Sequence, residues 1–167
     1  DDIKALKKIG IEKISINSPA VKNPQILVEA AKSIGSENLV LGIDAKKDSS
    51  CPSGYRVMLG GGKVSTDLDV LEWAKKAVKL GAGEIVLNSI DADGTKAGYD
   101  LELTKLIAEN LFVPVVASGG GGTIEHIEKA FSQGKASAAL IASIAHQGIL
   151  KVSEIKTALR DKGIPVL

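Results

Sequence analysis

The sequence holds 167 residues, 44% hydrophobic and only 3% aromatic. That is enough for one core of Ile, Leu, Val and Ala, and too short for two independent domains. With 21 basic and 20 acidic residues evenly mixed, no basic stripe or aromatic ladder supports nucleic-acid binding. The lone Cys51 excludes an intrachain disulfide and points to a reducing, cytoplasmic setting. No apolar run reaches the roughly 20 residues that cross a bilayer, and no signal segment is expected.

Residues 2 to 9 read as helix, with Ile3, Leu6 and Ile9 on one face and Gly10 beyond. Residues 13 to 17 form a short strand, residues 24 to 33 a helix from Pro24, and residues 38 to 44 an apolar strand ending at Asp44. A hairpin or flap is expected over 51 to 66, where Tyr55, Val57 and Leu59 alternate before Gly60, Gly61, Gly62 and Lys63. Helical spacing returns over 68 to 80, followed by a strand at 84 to 90, a polar loop and a helix at 101 to 110. A strand at 114 to 118 runs into four glycines. Helix 124 to 133, strand 137 to 143 and helix 152 to 161 complete the chain.

Strand, loop and helix thus recur about five times. Right-handed crossovers make such strands parallel, with their C-terminal ends on one side. A doubly wound sheet is the alternative, but it gathers binding residues at one switch point. Here a polar or Gly-rich loop follows nearly every strand, which favours a parallel (β/α) barrel of TIM type. Residues 1 to 167 are expected to be one partial barrel domain, since five units and this length fall short of the eight strands and roughly 250 residues of a closed barrel.

Asp44 ends its strand as a candidate acid/base group, or else pairs with Lys46 or Lys47. Asp91 and Asp93 flank Ala92, so in extended backbone their side chains share a face, with Asn88 three residues earlier. They suit an acid/base pair, a grip on a hydroxylated substrate, or an ordered Asp-Gly turn. Ser118 to Thr123, with four central glycines, precedes a helix whose N-terminus offers N–H groups to phosphate. It is neither a Walker loop nor a dinucleotide fingerprint. Ala142 and Ser143, at the next strand end, suit the opposite wall of the same pocket. His126 and His146 form no metal cluster, so no metal is expected.

Five segments together resemble one family: Lys13-Ile14-Ser15-Ile16-Asn17, Gly42-Ile43-Asp44-Ala45-Lys46, the run Gly81 to Thr95, Gly98-Tyr99-Asp100 and Ala117-Ser118-Gly119-Gly120. The chain is similar to the cyclase subunit of imidazole glycerol phosphate synthase, over essentially all its length, from that barrel's fourth strand to its last helix. The long run around Asp91 separates it from the sister isomerase of the same pathway.

The resemblance implies a histidine-biosynthesis lyase without metal or organic cofactor. Ammonia from a glutaminase partner attacks a bis-phosphorylated formimino-aminoimidazole carboxamide ribotide, giving imidazole glycerol phosphate and aminoimidazole carboxamide ribotide. It further implies Asp44 as general acid, with Asn88, Asp91 and Asp93 as substrate contacts. Asn17 with Ser18 resembles one phosphate corner, and Gly119, Gly120, Ala142 and Ser143 the other. Gly61, Gly62 and Lys63 resemble a closing flap. Glu12, Lys13 and Glu84 resemble the ammonia gate and glutaminase contact.

The family's second catalytic aspartate has no counterpart here, so the chain alone is expected to turn over negligibly. Its unpaired strand edges lead to an expectation of self-association or completion by the missing barrel half. A paralogous ammonia-using cyclase of surface polysaccharide synthesis and a non-catalytic phosphate-binding scaffold are the rival readings.

Overall fold

A computed structural model describes residues 2–166. It opens with α1 (Asp2–Lys8), β1 (Ile14–Ile16), α2 (Ser18–Lys22), α3 (Gln25–Ile34) and, after a 3₁₀ turn, β2 (Leu39–Lys47). The hairpin strands β3 (Tyr55–Leu59) and β4 (Val64–Asp69) lead into α4 (Val70–Lys79). Then come β5 (Glu84–Ser89), α5 (Leu101–Asn110), β6 (Val115–Ser118), α6 (Ile124–Ser132), β7 (Ala138–Ala139), α7 (Ser143–His146) and α8 (Val152–Asp161).

The strands join one sheet in the order β4-β3-β2-β5-β6-β7, with β1 also paired to β2. The β1–β2, β2–β5, β5–β6 and β6–β7 pairs are parallel, and β3 pairs antiparallel with both β2 and β4. This is the strand–helix alternation of (β/α)-barrel units, with a hairpin spliced in after β2. Since β5 occupies one edge of β2, β1 and β3 share the other: β1 along Leu39–Leu41 and β3 along Asp44–Lys47.

Side-chain alternation gives the sheet two different faces. Ile14, Ile16, Leu41, Ile43, Ile85, Leu87, Val115 and Ala117 are buried under the helices. The opposite face carries registered rows. Gly42, Val86 and Val116 form an apolar row, and Asp44, Asn88 and Ser118 form a polar row one residue pair nearer the strand ends. Helices pack through apolar stripes: α3 buries Leu27, Ala30 and Ile34, and α4 buries Val70, Trp73, Ala74 and Ala77. Asp69 and Asp100 cap α4 and α5 by accepting backbone N–H bonds in the first turns.

Several boundaries differ from the sequence expectation. β2 runs on to Lys47, so Asp44 lies inside the strand rather than at its end, because β3 extends the ladder there. Residues 18 to 22 form an extra short helix, which the N1/N2 proline favours. Leu68 belongs to β4, and helix begins only after the Asp69 cap. The strand expected over 137 to 143 shortens to Ala138–Ala139, although Leu140 N still donates to Ala117 O at 2.8 Å. Among the described residues β7 pairs only with β6, and α7 starts at Ser143.

Candidate active site

At the C-terminal ends of four parallel strands, four side chains join hands. Asn17 Nδ2 donates to Asp44 Oδ2 at 3.1 Å, and Asn88 Nδ2 donates to Asp44 Oδ1 at 3.2 Å. Ser118 Oγ in turn donates to Asn88 Oδ1 at 3.2 Å. The register makes this possible: Asp44 lies opposite Asn88, and Asn88 opposite Ser118. Asn17 reaches Asp44 by lying over Gly42, where a Cβ would come within 3.2 Å of the Asn17 Cβ. Asp44 is only 7% exposed, and each carboxylate oxygen accepts one amide bond. Asn17 Oδ1 is buried with no hydrogen-bond partner among the described residues.

The row ends at a compact cleft lined by Asp93, Gly94, Lys96, Ser118, Gly119 to Gly121, Leu140, Ala142 and Ser143. Its free space is about 40 Å³, room for a group a few water molecules in size. Gly120 has φ 97°, and a Cβ there would lie 2.0 Å from Gly98 O. Gly98 N donates to Gly120 O at 2.8 Å, so the loop after β5 and the loop after β6 are locked together backbone to backbone. Gly120, Ala142 and Ser143 thus meet as the sequence leads one to expect. The N-terminus of α6 does not join them. Thr123 Oγ1 accepts from His126 N, and Gly122 N donates to His126 Nδ1, so these groups are already occupied.

Asp91 and Asp93 do not share a face. β5 ends at Ser89, and Asp93 N folds back to Ser89 O at 2.9 Å, replacing extended chain with a turn. Asp93 lines the compact cleft. Asp91 accepts from Lys47 N at 2.8 Å and lines a separate, open cleft of about 500 Å³ with Lys47, Ser89, Tyr99, Asp100 and Glu102. Ser89 alternates with Asn88, which places this larger cleft on the helix side of the sheet. Between the two clefts, Tyr99 donates to Leu140 O at 2.9 Å, and burial pushes its phenol up to about 12. Tyr55 donates to Asp100 Oδ1 at 3.1 Å, and burial, then the Asp100 charge, raises its phenol further.

The remaining candidates fall around this centre. Gly60 N donates to Ser18 Oγ at 3.2 Å, and a Cβ on Gly62 would press on Ile90 at 2.9 Å. The hairpin tip is therefore seated on the strand ends, while Gly61 and Lys63 are exposed. Ser18 sits beside Asn17 but is engaged by the hairpin. At the opposite ends of the strands, Lys13 Nζ pairs with Glu84 Oε2 at 2.6 Å, beside an exposed Glu12. Among the described residues no cluster of three His, Cys, Asp or Glu is arranged for a metal ion, and no helix is long and apolar enough to cross a membrane.

Lys96 escapes the sequence reading: it lines the compact cleft but gives no local signal of its own. Ser118, named with the glycine loop, also completes the polar row, and Gly94, the turn glycine after Asp93, lines the cleft as well.

A family model described as "Histidine biosynthesis protein" matches residues 1–151. The chain belongs to the histidine biosynthesis protein family. Within that family it is 50% identical over 169 residues to a protein of Desulfatibacillum aliphaticivorans named "Imidazole glycerol phosphate synthase subunit HisF", covering 99% of this chain and 65% of that protein. Proteins of the same name from Prochlorococcus marinus (strain MIT 9211) and Trichormus variabilis are each 51% identical. These alignments cover 95% and 99% of this chain, and 62% and 65% of those proteins. The chain therefore spans a little under two thirds of the length of these histidine biosynthesis relatives.

Proposed function

We propose that this chain carries the cyclase chemistry of imidazole glycerol phosphate synthase, a lyase step in histidine biosynthesis. Ammonia supplied by a glutaminase partner adds to a bis-phosphorylated formimino-aminoimidazole carboxamide ribotide. Ring closure and C–N cleavage release imidazole glycerol phosphate and aminoimidazole carboxamide ribotide. The reading needs no metal or organic cofactor.

One observation carries it: the polar row from Asp44 through Asn88 reaches Ser118 at the mouth of the glycine-walled cleft. A substrate whose phosphate occupies that cleft extends its reacting atoms along the row towards Asp44. Backbone N–H groups of Gly119 and Gly120, with Ala142 and Ser143, hold the anion. Asp44 is the acid/base residue of ring formation, and its fixed position supplies orientation rather than new bonds. Asn17 and Asn88 set that position by gripping one carboxylate oxygen each. Asp93 contacts substrate from the cleft side. Asp91 supports the turn that presents Asp93, through its bond to Lys47 N.

Asn17 and Ser18 lie at a second phosphate corner beneath the hairpin tip. Gly61, Gly62 and Lys63 then form a flap that closes over the bound ligand. At the opposite ends of the strands, the Lys13–Glu84 pair is the gate for ammonia, and Glu12 contacts the glutaminase. The outer edges of β1 and β7 take further strands, from another part of the barrel or another copy.

The test is ammonia-dependent formation of imidazole glycerol phosphate by the chain completed with the N-terminal portion of a relative's barrel. Turnover that falls by several orders of magnitude in Asp44→Asn supports the reading. The chain alone is expected to be inactive. Phosphate binding without turnover in the completed barrel would point instead to a scaffold.

A further inference from the structure

Lys96 holds a charge that the fold does not use. Its Nζ donates to Gln147 Oε1 at 2.6 Å, a neutral amide, and it joins no ion pair among the described residues. Its backbone stands at φ 58°, a left-handed conformation that lysine seldom adopts. Packing keeps it there: a Cβ on Gly122 would lie 2.2 Å from Lys96 O and 2.8 Å from Lys96 Cβ. The loop carrying Lys96 therefore rests directly on the tetraglycine segment.

Charge balance gives this placement a purpose. Among the residues lining the compact cleft, Lys96 is the one cation and Asp93 the one anion. A phosphoryl dianion entering beside Asp93 meets repulsion that backbone N–H groups offset only in part. A lysine ammonium supplies a compact positive charge on a flexible stem, suited to meeting such a group after it arrives. Gln147 directly follows α7 as its C-terminal cap, and that helix begins at the cleft residue Ser143. The Lys96–Gln147 bond thus already ties the loop after β5 to the far wall of the cleft.

We propose that Lys96 is the counter-charge for a phosphoryl group in this cleft, turning its ammonium from Gln147 to the anion. In doing so it draws the loop of residues 93 to 98 against α7. The proposal rests on the reading of the cleft as a phosphate site, and its test separates the two.

Inorganic phosphate is titrated into the 167-residue chain by calorimetry, with folding followed by circular dichroism. The variants are Lys96→Met, Lys96→Arg, Lys96→Gly and Gly120→Ala. Saturable binding weakened about tenfold or more in Lys96→Met, and largely kept in Lys96→Arg, is the expected result. Lys96→Gly relieves the left-handed backbone, so its thermal midpoint rises while its affinity falls as in Lys96→Met. A purely structural lysine would move midpoint and affinity in the same direction. Binding that Gly120→Ala abolishes, but that changes less than about twofold in Lys96→Met and Lys96→Gly, overturns the Lys96 proposal and leaves the cleft intact. No saturable binding by the wild-type chain, or binding indifferent to Gly120→Ala, overturns the reading of the cleft and the proposal with it.

Discussion

Asn88 faces Asp44 across the β2–β5 register and donates its amide to the Asp44 carboxylate at 3.2 Å. The same side chain accepts from Ser118, so one residue couples the buried carboxylate to the glycine cleft. Asn88→Leu removes both bonds at once and leaves a half-buried hydroxyl and a carboxylate oxygen short of partners. The expected loss of stability is about 1–3 kcal/mol, measured by urea unfolding. A neutral result would mean the row is held by other contacts.

Gly120 and Gly94 both have positive φ, yet only Gly120 is crowded. A Cβ at Gly94 meets nothing within 4 Å, so Gly94→Ala is expected to cost only the left-handed strain, about 1–2 kcal/mol. Gly120→Ala adds a clash with the Gly98 carbonyl and should cost on the order of 3 kcal/mol or more, with the two loops parted. Paired denaturation curves for the two variants check the ordering.

Acid should loosen the hairpin region first. The Ser50 hydroxyl, then Arg56 and Ser50 N–H, hold the Asp48 carboxyl far below its ordinary 3.8. Asp69 is also lowered: burial pushes it up, but hydrogen bonds from Ser53, Glu72 and Leu71 outweigh that. A carboxyl depressed in the fold stabilises it above 3.8, and the contribution disappears as pH falls from there towards the folded value. The protection of hairpin amides against hydrogen exchange, relative to their intrinsic rates, is expected to fall below pH 3.8, and Asp48→Asn to flatten that dependence while lowering protection at neutral pH. Unchanged acid dependence in Asp48→Asn counts against the assignment.

At the alkaline end the sign reverses. Tyr99 is raised from 10.0 to about 12 by burial, and Tyr55 is raised by burial and Asp100. A phenol whose folded value is raised contributes stability that is complete below 10 and is lost as pH climbs towards 12. Ultraviolet titration of the native chain should show little phenolate just above pH 10, followed by release on unfolding. Ordinary titration of both tyrosines at 10 would show that neither is sealed as described.

Much of this arrangement was legible from spacing alone. Helices Leu101–Asn110 and Val152–Asp161 fall where periodicity places them, because their apolar stripes are regular and their ends are punctuated. The meeting of Gly120 with Ala142 and Ser143 follows from two neighbouring parallel strands. What stayed hidden depended on contacts between distant segments. Asp44 sits mid-strand because β5 carries the ladder on to Ala45 and β3 on to Lys47. Asp91 parts from Asp93 because Ser89 O captures Asp93 N and closes a turn. Lys96 reaches the cleft through a left-handed backbone that packing against Gly122 enforces.

The measurement closest to the central claim is amide chemical-shift mapping of the chain with imidazole glycerol phosphate added. The account predicts joint, saturable shifts at Gly94, Gly120, Ala142 and Ser143 and at the Asn88 side-chain amide that touches Asp44. Shifts confined to the cleft around Asp91, Asp100 and Glu102, or cleft shifts that leave Asn88 unmoved, would contradict it.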